Sequence, residues 1–281
     1  MIVDGLVFGI SSGILYALMA VGFSLIFGVA RILFMTHGQM YMLGGVFVFF
    51  LTQQLGINYL LAIILIMPMT GILGLIIERF LRPLHGKPIM IMVTTIALSM
   101  LIANLTMNFF GERTRGMESP LSGLVFNLFG TSIAAERLLV IFVALAAVLV
   151  IHLFIQRTKT GQAMRAITQD EEAATLQGID IKRSQAITFF IACATAGLAG
   201  ILIAPIYLVD ATSGTSALLK TFVVVVLGGM GSLPGAIVGG LFLGLVESFG
   251  SIFIGGPSVL ISFGIVILVL IVRPRGFLGR E

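Results

Sequence analysis

One carboxylate, Glu247, stands well inside an apolar run of this chain. An ionised side chain at membrane depth is costly and turns toward a bundle interior or a cavity. Glu247 can therefore receive a substrate amine or hydrogen-bond to a neighbouring helix. Thr94, Thr95, Ser99 and Asn104 mark a second polar stripe. Thr95 and Ser99 recur at helical spacing, so they can face a pathway, or they can bond to their own helix carbonyls. His37, with Gly38 and Gln39 after Arg31, can line the mouth of a pathway or sit in a plain loop. The segment GGMGSLPGAIVGG (Gly228–Gly240) holds 6 glycines in 13 residues. Gly228, Gly229, Gly231 and Ser232 precede a helix start whose free N–H groups attract anions, and broken helices hold carboxylate substrates in some transporters. The same small residues also permit close helix packing.

Other chemistries are excluded. No G-x-x-x-x-G-K-[ST] phosphate loop exists, so the chain has no such route to ATP. No Ser-His-Asp set, paired carboxylates or cysteine cluster is present, which predicts a non-enzyme without a cofactor of its own. His85 and His152 lack acids or cysteines at ligand spacing, so no metal is expected. The single Cys193 precludes an internal disulfide.

The elements that must position these groups are membrane helices. Of 281 residues, 58% are hydrophobic and only 10% charged, whereas soluble domains carry about 25% charged residues. Runs long enough to cross a bilayer are expected over Gly5–Ala30, Gln39–Leu55, Tyr59–Ile77, Ile89–Phe110, Leu138–Ile155 and Ala186–Val209. A broken region over Ala217–Phe253 and a last run over Val259–Val272 follow. The fold class expected is all-α and polytopic, a single domain over residues 1–281 with about eight or nine segments and a glycine-broken helix. Asp4 and the length of the first run predict no cleavable signal.

Basic residues orient the chain. A cytoplasmic placement for Arg31, the Arg79–Lys87 loop, the Gln156–Gln185 segment and the tail puts 12 of 16 basic residues inside, as the positive-inside rule prefers. The N-terminus, the loop Gly111–Arg137 and Asp210–Lys220 are then external and the C-terminus cytoplasmic. Three passes, one abbreviated, are needed after Lys220.

Gln156–Gln185 is a polar island holding 9 of the 28 charged residues. Thr158 or Thr160 can cap a helix start, and Gly178 suits a left-handed stop. The predicted helix between them either docks a partner outside the bilayer or is merely solvated.

Four blocks together resemble the LivH-type permease subunits of branched-chain amino-acid ABC importers. They are GLVFGISSGILYALMAVGFSLIFGV (Gly5–Val29), TGQAMRAITQDEEAATLQGID (Thr160–Asp180), VVVVLGGMGSLPGAIVGGLFLGLVES (Val223–Ser248) and RPRGFLG (Arg273–Gly279). In order and spacing they cover nearly the whole chain. The chain departs from the family's N-F-A-H-G-like run. Here FMTHG keeps His37 and Gly38, but Phe34 stands where Asn is usual and Thr36 where Ala is usual.

The resemblance implies a permease subunit in a bacterial-type cytoplasmic (inner) membrane. Its implied partners are a second permease, LivM-like or a copy of this chain, two cytoplasmic ATPases that bind ATP and Mg, and a periplasmic or extracellular substrate-binding protein. No nucleic acid is implied. Gly161, Arg165, Asp170, Ala173, Ala174 and Gly178 would form the ATPase-coupling element. The candidate pathway residues are His37, Thr95, Ser99, Gly228, Gly229, Gly231, Ser232 and Glu247. The expected activity is ATP-driven import of branched-chain or other hydrophobic amino acids by alternating access. Urea, short amides and aromatic carboxylates are alternative substrates, and an ATP-independent secondary transporter or channel is the alternative class.

Overall fold

An apolar segment in hydrocarbon has no water to bond, so each run closes its backbone hydrogen bonds within itself as a helix. A computed structural model of the chain describes residues 2–111, 116–117, 121, 123–128, 131–207, 210–253, 255, 258–273 and 276–279. The helices are α1 (Ile2–Ala30), α2 (His37–Phe49), α3 (Tyr59–Leu81), α4 (Pro88–Phe110), α5 (Ala135–Arg157), α6 (Lys159–Gln169), α7 (Glu171–Leu176), α8 (Ile181–Ile203), α9 (Ser213–Gly228), α10 (Leu233–Phe253) and α11 (Ser258–Val272). A π turn, Phe50–Gln54, extends α2. The chain is a polytopic helical membrane protein. Within the expected loop Gly111–Arg137 lies an unforeseen antiparallel hairpin, β1 (Val125–Leu128) with β2 (Thr131–Ala134), pairing Val125 with Ala134.

Six helices, α1, α3, α4, α5, α8 and α10, are long and apolar enough for a full crossing. The other membrane-type helices are shorter, with 13 residues in α2, 16 in α9 and 15 in α11. Among the described residues, then, six helices are of full-crossing length, against the eight or nine segments expected.

α1 and α8 form the buried centre, while α3, α4 and α5 expose long apolar faces. Small residues bring the central helices together. Gly9 and Gly13 of α1 face Gly244, Leu245 and Leu241 of α10, and Gly240 of α10 lies on Ala17. A Cβ on Gly240 would stand 2.5 Å from the Ala17 amide nitrogen. This is the close backbone approach that small-residue stripes provide in membranes. Gly235 and Gly239 pack the other side of α10 against Gly228 and Val224 of α9. The close-packing alternative for the glycine-rich segment is therefore realised along α10.

Candidate functional site

The chain leaves helical form inside the bundle just after α1. Arg31 takes a left-handed conformation, φ 53°, and Ile32–Thr36 runs back among the helices with Ile32, Phe34 and Thr36 buried. The following helix begins at His37, whose Nε2 lies 3.1 Å from the Met19 carbonyl. Met19 is three turns before the end of α1, roughly 16 Å along its axis, so α2 starts at membrane depth. A carbonyl only accepts, so His37 Nε2 carries the proton and Nδ1 is left as an acceptor. Side chains hold this unwound strand. Thr36 Oγ1 donates to the Thr95 carbonyl at 2.8 Å, and the Met35 N–H reaches Thr95 Oγ1 at 3.4 Å. Gln39 Nε2 donates to Ser99 Oγ at 3.0 Å. Non-helical backbone survives at such depth only where protein buries it, and here it is buried. Phe34 stacks edge-on against Phe189, with ring centroids 5.1 Å apart.

The α4 stripe therefore divides. Thr95 and Ser99 face the start of α2. Thr94 and Asn104 point outward and bond to their own helix, at Met90 O and Met100 O.

A second polar cluster joins α1, α9 and α10. Lys220 Nζ donates to Glu247 Oε1 at 2.6 Å and to the Tyr16 hydroxyl at 2.8 Å. Tyr16 in turn donates to Glu247 Oε2 at 2.7 Å. The Lys220 and Glu247 side chains remain 28% and 20% exposed. Glu247 is thus an interhelix partner, as one of its two readings held. Lys220, expected at an external end, lies within α9. Beside it, Thr221 Oγ1 lies 3.7 Å from Met19 Sδ, next to the carbonyl that holds His37. Tyr41 of α2 and Tyr207, just beyond α8, stand near one another. They also line a shallow cleft between α2 and α8 with Met42, Gly45 and Ile203.

The glycine break lies elsewhere. Gly228 ends α9, Gly229 and Gly231 have φ +100° and +79°, and α10 starts at Leu233 with Ser232 Oγ accepting from the Gly235 N–H at 3.1 Å. Its carbonyls are taken by the C-terminal tail, with Phe277 N–H on Leu227 O at 2.8 Å and Leu278 N–H on Gly228 O at 3.1 Å. Gly28, near the end of α1, faces both Thr168 of α6 and Gly231. The expectation of an unwound helix at membrane depth here gives way to a sealed turn at the end of the bundle that carries the island. The unwound segment at depth is Ile32–Thr36.

The island also differs from the expected single helix. Thr158 Oγ1 caps α6 by accepting from the Gly161 N–H at 3.0 Å. Asp170 then stops α6 and starts α7, its Oδ1 accepting from the Glu172 and Ala173 N–H groups at 3.0 Å. An aspartate can end one helix and cap the next because its short side chain satisfies the free amides. Gly178 takes φ +78°, the left-handed stop expected of it. Met164 and Ile167 of α6 and Ala174 of α7 bury against Val29 of α1. Gly161 packs on the Phe154 and Ile155 carbonyls, and Arg165 donates to Ile155 O at 2.7 Å and Gln156 Oε1 at 2.8 Å. Arg165 thus ties α6 to the end of α5, while Asp170 and Ala173 are exposed and Leu176 is 87% exposed.

Of the named residues, the fold brings His37, Thr95 and Ser99 together and sets Glu247 in the adjoining cluster. It separates Gly228–Ser232 from both. Sequence reasoning missed Tyr16 and Lys220. No local signal marks them, since only three residues separate Lys220 from the polar stretch TSGTS and its partners are remote in the chain.

A helical membrane bundle with buried polar groups at mid-depth and a folded charged platform at one end is the architecture of a transport permease. The sequence profile of the family described as branched-chain amino acid transport system / permease component matches residues 5–272, and the chain belongs to that family. It is 33% identical to the high-affinity branched-chain amino acid transport system permease protein BraD of Pseudomonas aeruginosa, over 98% of this chain and 95% of that protein. It is 32% identical to LivH of Escherichia coli over 97% and 94% of the two chains. It is 24% identical to LivM of Escherichia coli over 94% and 68%. Among solved structures, PsaBC from Streptococcus pneumoniae in complex with Fab shares the fold, with TM-score 0.51, 14% identity and coverage of 97% of this chain and 91% of that one.

Proposed function

We propose that this chain is a membrane-spanning subunit of an ATP-driven importer for branched-chain or similar hydrophobic amino acids. It is paired with a second permease, LivM-like or a copy of itself, and supplied by a substrate-binding protein. The observation that carries the coupling half of this reading is the α6–α7 platform. Its inner side is locked to α1 and α5 through Val29, Gly161 and Arg165, and its outer side presents Leu176, Ala173 and the acids Glu171 and Glu172. Because α6 is tied to the end of α5 and buried against α1, a partner pressing on this outer side would move the bundle with it.

On this reading the island end is cytoplasmic and two partner ATPases hold ATP and Mg. Closure of the ATPases pushes α6 and α7 as one body against the end of α1. The push reaches the glycine turn beside Gly28, whose open face looks toward both Thr168 and Gly231. The shift is driven only by the differential affinity of nucleotide for the two states. The polar centre at the start of α2 opens to one side and then the other.

Gentle purification from native membranes, followed by reconstitution, tests the reading. Co-purifying ATPases and a second permease, with leucine uptake that requires ATP, are expected. A chain that purifies alone and transports without ATP would overturn it in favour of a secondary transporter or channel. In the coupled system, Arg165→Glu is expected to lower uptake per ATP hydrolysed about tenfold, because α6 loses its tie to α5. Unchanged coupling would remove the platform from the mechanism.

A further inference from the structure

We propose that the Tyr16–Lys220–Glu247 cluster is a substrate site for the zwitterionic head of an amino acid, with Lys220 taking the carboxylate and Glu247 the ammonium. The proposal rests on the importer reading and locates the site that holds its substrate.

Position is the first argument. Tyr16 is at the middle of α1, and Glu247 is roughly two turns before the end of α10, so the cluster lies within the membrane-spanning part. An ion pair there is expensive, and apolar residues of similar volume would serve packing as well or better. Helix packing alone therefore does not explain it, since glycine contacts already join α1 to α10 and α10 to α9. The second argument is exposure. Buried ion pairs are normally closed off, but Lys220 and Glu247 keep 28% and 20% of their side-chain surface open. A partly open charge at membrane depth faces a water-lined pathway or the bundle interior, not hydrocarbon. In a permease paired with another, that opening is the shared pathway.

The third argument is charge arithmetic. The three groups form a closed triangle with edges of 2.6, 2.7 and 2.8 Å. An α-amino acid carries one carboxylate and one ammonium on the same carbon, the same two charges held close together. Its entry exchanges one internal ion pair for two external ones and leaves no charge unpaired. A simple carboxylate would satisfy Lys220 and strand Glu247. A neutral amide would satisfy neither and would leave the internal pair closed. Leaving a charged partner unpaired in such a site is penalised strongly, so the triangle rejects the carboxylate, while the amide offers no ionic contact in exchange for opening the pair. The Tyr16 hydroxyl, which donates to Glu247 and accepts from Lys220, holds the two charges in register.

The test uses the whole complex in proteoliposomes, with radiolabelled L-leucine, 4-methylpentanoate and isovaleramide offered separately. ATP-dependent uptake of leucine alone is expected. ATP-dependent uptake of the carboxylate or the amide in place of leucine would overturn the site and the amino-acid part of the importer reading, while the ATP-driven importer itself would stand. Uptake independent of ATP would overturn the importer reading itself. The double variant Lys220→Met/Glu247→Gln removes both charges, so a purely structural ion pair predicts near-normal leucine uptake. A substrate site predicts a loss of about tenfold or more in complexes shown by gel filtration to be assembled. Wild-type uptake by the double variant would overturn the proposal. Tyr16→Phe, which keeps both charges, guards against poor assembly of the double variant. It should raise the KM for leucine several-fold, and an unchanged KM would equally count against the site.

Discussion

The helical backbone is interrupted at Ile32–Thr36 and at Gly229–Ser232, and the two breaks are held in opposite ways. The first has no glycine and lies deep in the bundle. Its polar groups go to side chains and carbonyls of other helices, Thr36 to Thr95 and His37 to Met19. The second is half glycine and lies at the end of the bundle. There backbone meets backbone, since the tail supplies N–H donors to Leu227 and Gly228. Glycine content thus signals close approach, not depth. What holds an unwound segment at depth is burial by protein together with side-chain and carbonyl partners from other helices, here Thr95 and Met19.

The largest effect that would break this contrast comes from the deep segment. Phe34 is fully buried and packs on Phe189. Phe34→Ala leaves a cavity and is expected to cost about 3–5 kcal/mol, read as a large fall in Tm of the detergent-solubilised complex. A small change would mean that Ile32–Thr36 is not a fixed part of the core.

Gly229→Val attacks the glycine turn. It forces a branched residue to φ +100° and places a Cβ 2.5 Å from the Gly279 nitrogen. Strain of about 2–3 kcal/mol should free the tail, visible as faster tryptic cleavage beyond Arg273, with the deep segment unaffected. Slow cleavage in the variant would show that the tail is held by something other than this turn.

Ser99→Ala sharpens the account of how the deep segment is satisfied. It strands the Gln39 amide, which is 2% exposed and bonded to Ser99 Oγ, at a cost of about 1–2 kcal/mol. Ser232→Ala, at the glycine turn, removes a helix cap worth about 1 kcal/mol and strands no buried side-chain amide. Thermal shifts should therefore rank Ser99→Ala above Ser232→Ala. The reverse order would contradict the assignment of depth.

Much of the scaffold was legible from hydrophobic runs, because backbone in lipid has few options. Tyr59 as a start, Phe110 as an end and the Thr158 and Gly178 boundaries of the island all appear where the residues indicated. Three features were not legible, each for a physical reason. Ile32–Thr36 sits between two apolar runs and reads as a connecting loop, since nothing local says how deep a loop folds back. Lys220 follows the polar stretch TSGTS and so reads as a helix terminus, while its partners Tyr16 and Glu247 are remote in the chain. Asp170 interrupts an otherwise helical pattern. There the run Asp170–Glu171–Glu172 carried a usable signal, because a cap followed by acids marks a helix start. For the site, the pairing of Thr95 with Ser99 was readable from spacing, but the helix they face was not.

The smallest effect belongs to the residue that begins the deep segment. Arg31 is exposed and adopts φ 53°, a left-handed conformation that costs a residue with a Cβ about 1–2 kcal/mol. Arg31→Gly removes that strain but adds about 0.5–1 kcal/mol of unfolded-chain entropy. The net expectation is a stabilisation of roughly 0.5 kcal/mol, a rise of a degree or two in Tm. Arg31→Ala removes the charge and keeps the Cβ, so it should leave Tm nearly unchanged and separates backbone strain from electrostatics. A fall in Tm for Arg31→Gly would mean that the arginine side chain, and not the backbone turn, directs the chain back into the bundle. Glycine would then be tolerated at the sealed turn for its shape and rejected at the deep one for want of a side chain.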